Sequence, residues 1–135
     1  MAVSLDYPAE PIAINGNNDQ LSKTIMSLLG NAVYAVRKQA IRMKEKNTPY
    51  QPAISMSVTR EGGKARIVIR DNGIGIEQSI ISKIFDPFFT TKTTAEASGV
   101  GLYLSKEIIQ NHEGDISVMS EKDVYTAFTI TLPTL

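Results

Sequence analysis

A long helical pattern is followed by segments in which apolar and polar residues alternate. This combination limits the folds that the chain can adopt. From Asp19 onward apolar side chains recur at helical spacing, and the pattern fades through Met43. The recurring positions are Leu21, Ile25, Leu28, Leu29, Ala32 and Val36. This stripe predicts one long helix with a buried face, which has to pack against a second layer.

The second layer is predicted from segments with strand preference. Residues 53–59 alternate apolar and polar side chains, and residues 65–71 follow after a Gly62-Gly63 turn, which predicts an antiparallel hairpin with one covered face. Residues 115–120 and 126–133 predict two more strands. A brief edge strand is predicted at residues 12–16, just after two prolines.

Two shorter helices complete the predicted fold. One covers residues 77–84, and the other runs from Val100 through Leu104 and Ile108 to a stop at Gly114. Between them, residues 86–99 form a polar stretch without periodicity, long enough for a functional loop or a flexible lid. The order predicts an α+β fold, a two-layer sandwich of about five mostly antiparallel strands with three helices on one face.

Composition narrows the possible partners. The chain has 14 Lys plus Arg and 14 Asp plus Glu, so no global field favours nucleic acid or an anionic membrane, and an anionic ligand must be held locally. The absence of cysteine excludes a disulfide scaffold and a thiolate metal site. No apolar run approaches the roughly 18 to 20 residues of a membrane helix, and the N-terminus lacks the features of a signal peptide. We expect residues 1–135 to form one soluble domain.

An acid and two glycines follow the predicted strand at residues 65–71. Asp71 ends that strand, and Gly73 and Gly75 come directly after it. The dinucleotide motif G-x-G-x-x-G needs a third glycine three residues after the second one. That position is Gln78 after Gly75, and Leu104 after Gly101. A mononucleotide phosphate loop is also missing from the sequence. What remains is a helix start preceded by glycines, whose free N–H groups suit a phosphate.

Four short blocks, in one order, give the chain a family resemblance. They are LLGNAVYA (28–35), DNGIGI (71–76), IFDPFFTTK (84–92) and GVGLYLSKEII (99–109). They resemble the asparagine, first glycine, phenylalanine and second glycine boxes of the catalytic ATP-binding domain of sensor histidine kinases. That domain has the Bergerat-type fold shared with gyrase and mismatch-repair ATPases, and FTITLP resembles its final strand. Each block alone is weak evidence, whereas four in register are strong.

The resemblance implies that the chain binds ATP with Mg²⁺. Asp71 would accept a hydrogen bond from the adenine amine, and Gly73 would leave room for the flat ring. Asn31 would supply the amide oxygen that ligates Mg²⁺, and Lys92 would approach the β- or γ-phosphate. The other implied nucleotide-binding residues are Tyr34, Gly75, Ile76, Gly99, Val100, Gly101, Leu102 and Thr126.

Plainer roles stay open for several of these residues. Asp71 could cap a helix after an ordinary turn, and Asn31 could be a hydrogen-bonding spacer inside its helix. Lys92 could be a solvated loop lysine, and Thr126 an ordinary strand residue. Three aromatic residues of the phenylalanine box favour hydrophobic anchoring over ligand contact, namely Phe85, Phe88 and Phe89.

The sequence departs from the family at three positions. Ser27 stands where the hydrolytic branches carry a water-activating glutamate, and a serine without a partnered base is a poor general base. Tyr34 replaces a phosphate-facing lysine of one branch, which puts more of the phosphate binding on Lys92. Tyr125 replaces the glycine that usually precedes the last strand, which raises a question about the adenine-side turn.

The phosphoryl acceptor is expected outside these residues, so no catalytic residue is assigned within the chain. His112, the only histidine, lacks the acid and proline of the phosphoacceptor motif. The resemblance therefore implies a fragment that needs its own dimerisation and phosphoacceptor domain, with a response regulator receiver domain downstream. It implies no nucleic acid partner, no direct membrane contact and a cytoplasmic location, and leaves open an inner-membrane anchor elsewhere in the full-length protein. An ATP-hydrolysing relative and a non-catalytic binding module remain alternatives.

Overall fold

The computed structural model describes residues 1–87, 89 and 101–135. The elements within these residues are β1 (Ala2–Asp6), α1 (Asn18–Glu45), β2 (Ala53–Glu61), β3 (Lys64–Asp71), α2 (Gln78–Ile81), α3 (Gly101–Asn111), β4 (Asp115–Glu121) and β5 (Tyr125–Pro133). The predicted α+β class and the long helix are confirmed. None of the helices in these ranges is both long and apolar enough to cross a bilayer.

The strands form one five-stranded sheet in the order β1-β2-β3-β5-β4. Only the β1–β2 pair is parallel, so the sheet is mixed and mostly antiparallel, as predicted. The register places Asp71, the last residue of β3, between Ile54 of β2 and Thr126 of β5. The acid predicted to end a strand therefore lies near the middle of the sheet.

The core lies between the helices and one face of the sheet. Strand β5 alternates strictly, and its buried positions are Thr126, Phe128, Ile130 and Leu132. Helix α1 contributes Leu28, Ala32 and Val36 to the same cluster. The Asn17 side chain caps α1 by accepting a hydrogen bond from the Gln20 N–H at 3.0 Å.

Two predicted elements differ from the structure. The edge strand is Ala2–Asp6 rather than residues 12–16. Residues 12–16 instead lead into α1, where Ile14 packs against the core and the Ala13 carbonyl accepts a hydrogen bond from the Leu135 N–H. Helix α2 is shorter than residues 77–84, because it ends at Ile81 and turns follow at once. The predicted start of the last helix at Val100 lies outside the described residues, and α3 is described from Gly101 onward.

His112 has a structural role at the end of α3. Its Nδ1 lies 2.7 Å from the Ile108 carbonyl oxygen, and its Nε2 accepts a hydrogen bond from the Asn17 N–H at 2.9 Å. Since a carbonyl only accepts, the proton of the neutral ring belongs on Nδ1. The histidine thus ties the end of α3 to the N-terminal cap of α1.

Candidate functional site

A cleft of about 1040 Å³ opens between α1, the end of β3, the β3–α2 connection and the start of α3. Eight of the predicted site residues line it: Asn31, Tyr34, Asp71, Gly75, Ile76, Gly101, Leu102 and Thr126. Three others, Lys92, Gly99 and Val100, lie outside the described residues, as does most of the predicted lid. Gly73 is not among the lining residues. Residues from all four sequence blocks thus line one cleft, the third block contributing Ile84 and Phe89.

Asp71 is a buried carboxyl group on the wall of this cleft. Only 5% of the residue is exposed, and its Oδ1 accepts a hydrogen bond from the Gly73 N–H at 2.8 Å. Burial raises the pKa of Asp71 to about 6, although the Gly73 N–H and the nearby Arg70 pull it down. The group is therefore ionised at neutral pH but poorly solvated, and a ligand that donates hydrogen bonds would stabilise it.

The same carboxylate contributes to a raised pKa of Tyr50. Burial, with a smaller contribution from the negative charge of Asp71, raises the pKa of Tyr50 to about 12. The phenol donates toward the carbonyl oxygen and the side-chain oxygen of Asn72, at 2.9 and 3.0 Å. Asn72 also holds the start of β2, because its Oδ1 accepts from the Ala53 N–H and its amide donates to the Gln51 carbonyl. These bonds fix the segment that follows Asp71.

The two glycines of this segment allow close backbone contacts. A Cβ atom at Gly73 would collide with the backbone of Ala35 in α1, and the neighbouring Ile74 N–H donates to the Ala35 carbonyl at 3.2 Å. Gly75 has a φ of 67°, and a Cβ atom there would collide with the Glu121 carbonyl. The space left by Gly73 is thus filled by α1 and not kept for a flat ring, which corrects the expected reason for this glycine. A backbone contact between Gly73 and a ligand stays a prediction.

The other end of the cleft lies between α1 and the start of α3. Asn31 and Ser27 face it from α1, and Gly101 and Leu102 from α3. A Cβ atom at Gly101 would lie 3.1 Å from the Ser27 Oγ, so glycine permits this close approach. The first N–H groups of a helix have no intrahelical partner and carry the positive end of the helix dipole. This end suits an anion.

Lys38 is a residue of the cleft wall that the sequence did not indicate. Lys38 lies about two helical turns beyond Asn31, with its Nζ 5.5 Å from the centre of the Tyr34 ring. Its spacing of seven residues from Asn31 was the available signal.

The β4–β5 turn, also missed, closes the cleft beyond that wall. Lys122 pairs with Glu77 at 2.8 Å, and Arg42 pairs with Asp123 at 3.0 Å. Both pairs are about half exposed, so they position the turn more than they stabilise the fold.

Tyr125 and the phenylalanines of the third block make packing contacts in the structure. Tyr125 does not line the cleft, since its ring lies under the Arg70 guanidinium, with 4.2 Å between the guanidinium carbon and the ring centre. Phe85 packs edge-on against Phe128, with ring centres 6.2 Å apart, which confirms its predicted anchoring role. Phe89 also packs against the core, but it lines the cleft as well, and Phe88 lies outside the described residues.

This geometry agrees with what is known of related proteins. The family described as "Histidine kinase-, DNA gyrase B-, and HSP90-like ATPase" matches residues 16–135. The chain belongs to this ATPase family. Among curated relatives of this ATPase domain, the signal transduction histidine-protein kinase AtoS of Escherichia coli is 40% identical over 96% of the chain. Sporulation kinase A of Bacillus subtilis is 30% identical over 97% of the chain. The chain spans only 19% of the length of each of these two relatives.

Solved structures show the same fold for this ATPase domain. The nucleotide-free catalytic domain of histidine kinase ThkA superposes with a TM-score of 0.77 at 22% identity, covering 98% of this chain and 78% of the other. Full-length ShkA in complex with AMPPNP gives the same TM-score of 0.77 at 17% identity, covering 98% of this chain and 25% of that protein. At such identities the likeness concerns the fold.

Proposed function

We propose that this ATPase domain is the catalytic domain of a sensor histidine kinase, which binds Mg-ATP and delivers the γ-phosphoryl group to a histidine on a separate dimerisation domain. The observation that carries the proposal is the position of Asp71. A buried carboxylate stands on the wall of a cleft whose other end is the start of α3. Relatives named as histidine kinases and the ShkA complex with AMPPNP, an ATP analogue, support it.

The base of the nucleotide belongs at the Asp71 end. A carboxylate only accepts hydrogen bonds, so it favours a base edge that donates, such as the exocyclic amine of adenine. The apolar lining from Ile74, Ile76 and Phe128 suits the faces of a flat ring. We therefore place the purine between β3 and α1, near Gly75 and Thr126.

The triphosphate belongs at the α3 end, beside Gly101 and Leu102, where the positive end of the helix dipole favours an anion. Asn31 lines the cleft and offers an amide oxygen, which is a ligand type that Mg²⁺ accepts together with phosphate oxygens and water. A bound Mg²⁺ would neutralise charge on the phosphates. Lys92, Gly99 and Val100 remain predicted phosphate contacts, and Tyr34 a predicted contact on the α1 side.

The transfer itself needs little from this chain beyond positioning. A nitrogen of the acceptor histidine would attack the γ-phosphorus as the bond to the β-phosphate oxygen breaks, and ADP would leave. Ser27 occupies the cleft position from which a hydrolytic relative would activate water, and a serine without a base does this poorly. The proposal accordingly favours transfer to histidine over hydrolysis.

The acceptor would come from the full-length protein. His112 is held between Ile108 and Asn17 and does not line the cleft. We propose a dimerisation and phosphoacceptor domain as the direct partner, a receiver domain as the next recipient, and a cytoplasmic site of action. Nucleic acid and membrane contacts are not part of the proposal.

The test adds the histidine-bearing dimerisation domain of the same protein to this domain together with γ-labelled ATP. The proposal predicts an acid-labile label on the added domain, with little free phosphate. Release of free phosphate without labelled protein would indicate a hydrolase instead. Binding of ATP without either product would indicate a non-catalytic module. A variant with the acceptor histidine replaced by glutamine is the matched control and should stay unlabelled.

A further inference from the structure

Ser120 of β4 is a buried serine whose hydroxyl joins three segments at the base end of the cleft. Its Oγ accepts a hydrogen bond from the Ile76 N–H at 2.8 Å and donates to the Tyr125 carbonyl at 2.7 Å. It also lies 2.9 Å from the Thr126 Oγ1. Ser120 itself does not line the cleft, whereas Ile76 and Thr126 do.

The number of available protons determines which hydroxyl donates in the contact between Ser120 and Thr126. A serine hydroxyl has one proton, and the Tyr125 carbonyl can only accept, so that proton is used there. The Ile76 N–H can only donate, so it occupies one lone pair of Ser120. Thr126 must therefore donate its own proton to Ser120. The Thr126 oxygen then has only lone pairs left for anything bound in the cleft.

The neighbouring carboxylate of Asp71 is also a hydrogen-bond acceptor. Asp71 is paired with Thr126 across the sheet, and its Oδ1 already accepts from Gly73. An ionised carboxylate has further acceptor positions but no proton to give. The base end of the cleft thus presents two side chains that accept hydrogen bonds, and a bound base has to supply the donors, directly or through a water.

We propose that Ser120 is a positioning residue that holds the Thr126 hydroxyl as an acceptor and thereby favours a purine with an amine over one with a carbonyl at the same position. The inference rests on the proposed function, because it concerns the base of the nucleotide. Ser120 would touch no ligand atom and would act only through Thr126.

A purely structural role for Ser120 makes a different prediction. Ser120 also holds the β3–α2 connection, since its carbonyl accepts from the Gln78 amide at 2.9 Å. If its hydroxyl served only to hold this connection, its removal would weaken all nucleotides alike. If it orients Thr126, its removal frees the threonine proton to turn toward a ligand carbonyl. Discrimination between bases would then fall.

The experiment measures the dissociation constants of ATP and of inosine triphosphate, in which a carbonyl replaces the adenine amine. We expect Ser120→Ala to reduce the preference for ATP by roughly three- to tenfold, the effect of about one hydrogen bond. Ser120→Thr keeps the hydroxyl and should restore most of the preference. Ser117→Ala is the matched control, since Ser117 is exposed on the opposite face of the same strand.

Repeating the Ser120→Ala substitution in a Thr126→Val variant tests whether Ser120 acts through Thr126. In a Thr126→Val variant the hydroxyl is missing, so adding Ser120→Ala should leave the ratio of the two constants unchanged. An equal loss of affinity for both nucleotides in Ser120→Ala, or an unchanged ratio, would overturn the inference while leaving the proposed function intact. Failure of the wild-type chain to bind ATP at all would overturn the proposed function itself.

Discussion

Gly73 lies so close to Ala35 that a Cβ atom on the glycine would overlap the helix backbone. The contact joins the β3–α2 connection to α1, and the Ile74 N–H to Ala35 carbonyl bond reinforces it. Asp71 is two residues away, so the position of the carboxylate depends on this approach. The missing side chain at Gly73 is therefore a packing requirement, because it lets the β3–α2 connection approach α1 closely.

Gly73→Ala is expected to destabilise the fold. The added methyl group would force α1 and the connection apart, and overpacking of this kind costs about 1 to 3 kcal/mol. Urea unfolding measures the change in the free energy of unfolding. Gly63→Ala is the control, because nothing lies within 4 Å of a Cβ atom at Gly63. Equal stabilities of the two variants would contradict the packing role.

Asp71→Asn is expected to weaken ATP binding while making the folded chain more stable at pH 7. The amide oxygen can still accept from the Gly73 N–H, but the cost of burying a charge is removed. The loss of affinity should be about tenfold or more, since the ligand loses a charged acceptor. Calorimetry and thermal unfolding of the same sample measure both effects. A variant that loses stability and affinity together would contradict the assignment of Asp71 to the ligand.

The raised pKa of Asp71 also predicts a pH dependence of stability. The folded carboxyl keeps its proton up to about pH 6, whereas the unfolded one releases it near 3.8. Between these values the folded state binds more protons, so this group's contribution falls as pH rises through the window and is lost above it. The total is on the order of 3 kcal/mol. Denaturant unfolding at pH 4, 5, 6 and 7 should show this fall in the wild type and a flatter profile in Asp71→Asn.

Substitution of His112 should affect stability but not the nucleotide. His112→Ala removes the bond to Asn17 and the link between α3 and the cap of α1, at a cost of about 0.5 to 1.5 kcal/mol. The dissociation constant for ATP should change less than about twofold. A strong loss of ATP binding by a folded His112→Ala sample would place this residue in the site, contrary to the structure.

Local patterns in the sequence predicted the parts of the fold that depend on neighbours in the chain. The stripe from Leu21 to Val36 and the hairpin around Gly62 need only periodicity and a turn, and both were correct. The edge strand was placed wrongly because β1 pairs in parallel with β2 across about fifty residues, which no local pattern indicates.

In the site, too, contacts between segments that are distant in the sequence were not predicted. The family blocks indicated Asp71 and Asn31, and both line the cleft. The use of Gly73 against Ala35, and the contact of Ser120 with Thr126, depend on elements that meet only in the folded chain. The turn at Lys122 and Asp123 was missed for the same reason, since its partners are on α1 and before α2.

Titration of ATP into the folded chain, with and without Mg²⁺, tests the central claim most directly. The account predicts saturable binding of ATP to the wild type that Mg²⁺ strengthens, and its loss in Asn31→Ala and Asp71→Ala samples that remain folded. Ser117→Ala should bind as the wild type does. No heat of binding from a well-folded wild-type sample, or unaltered affinity in both site variants, would contradict it.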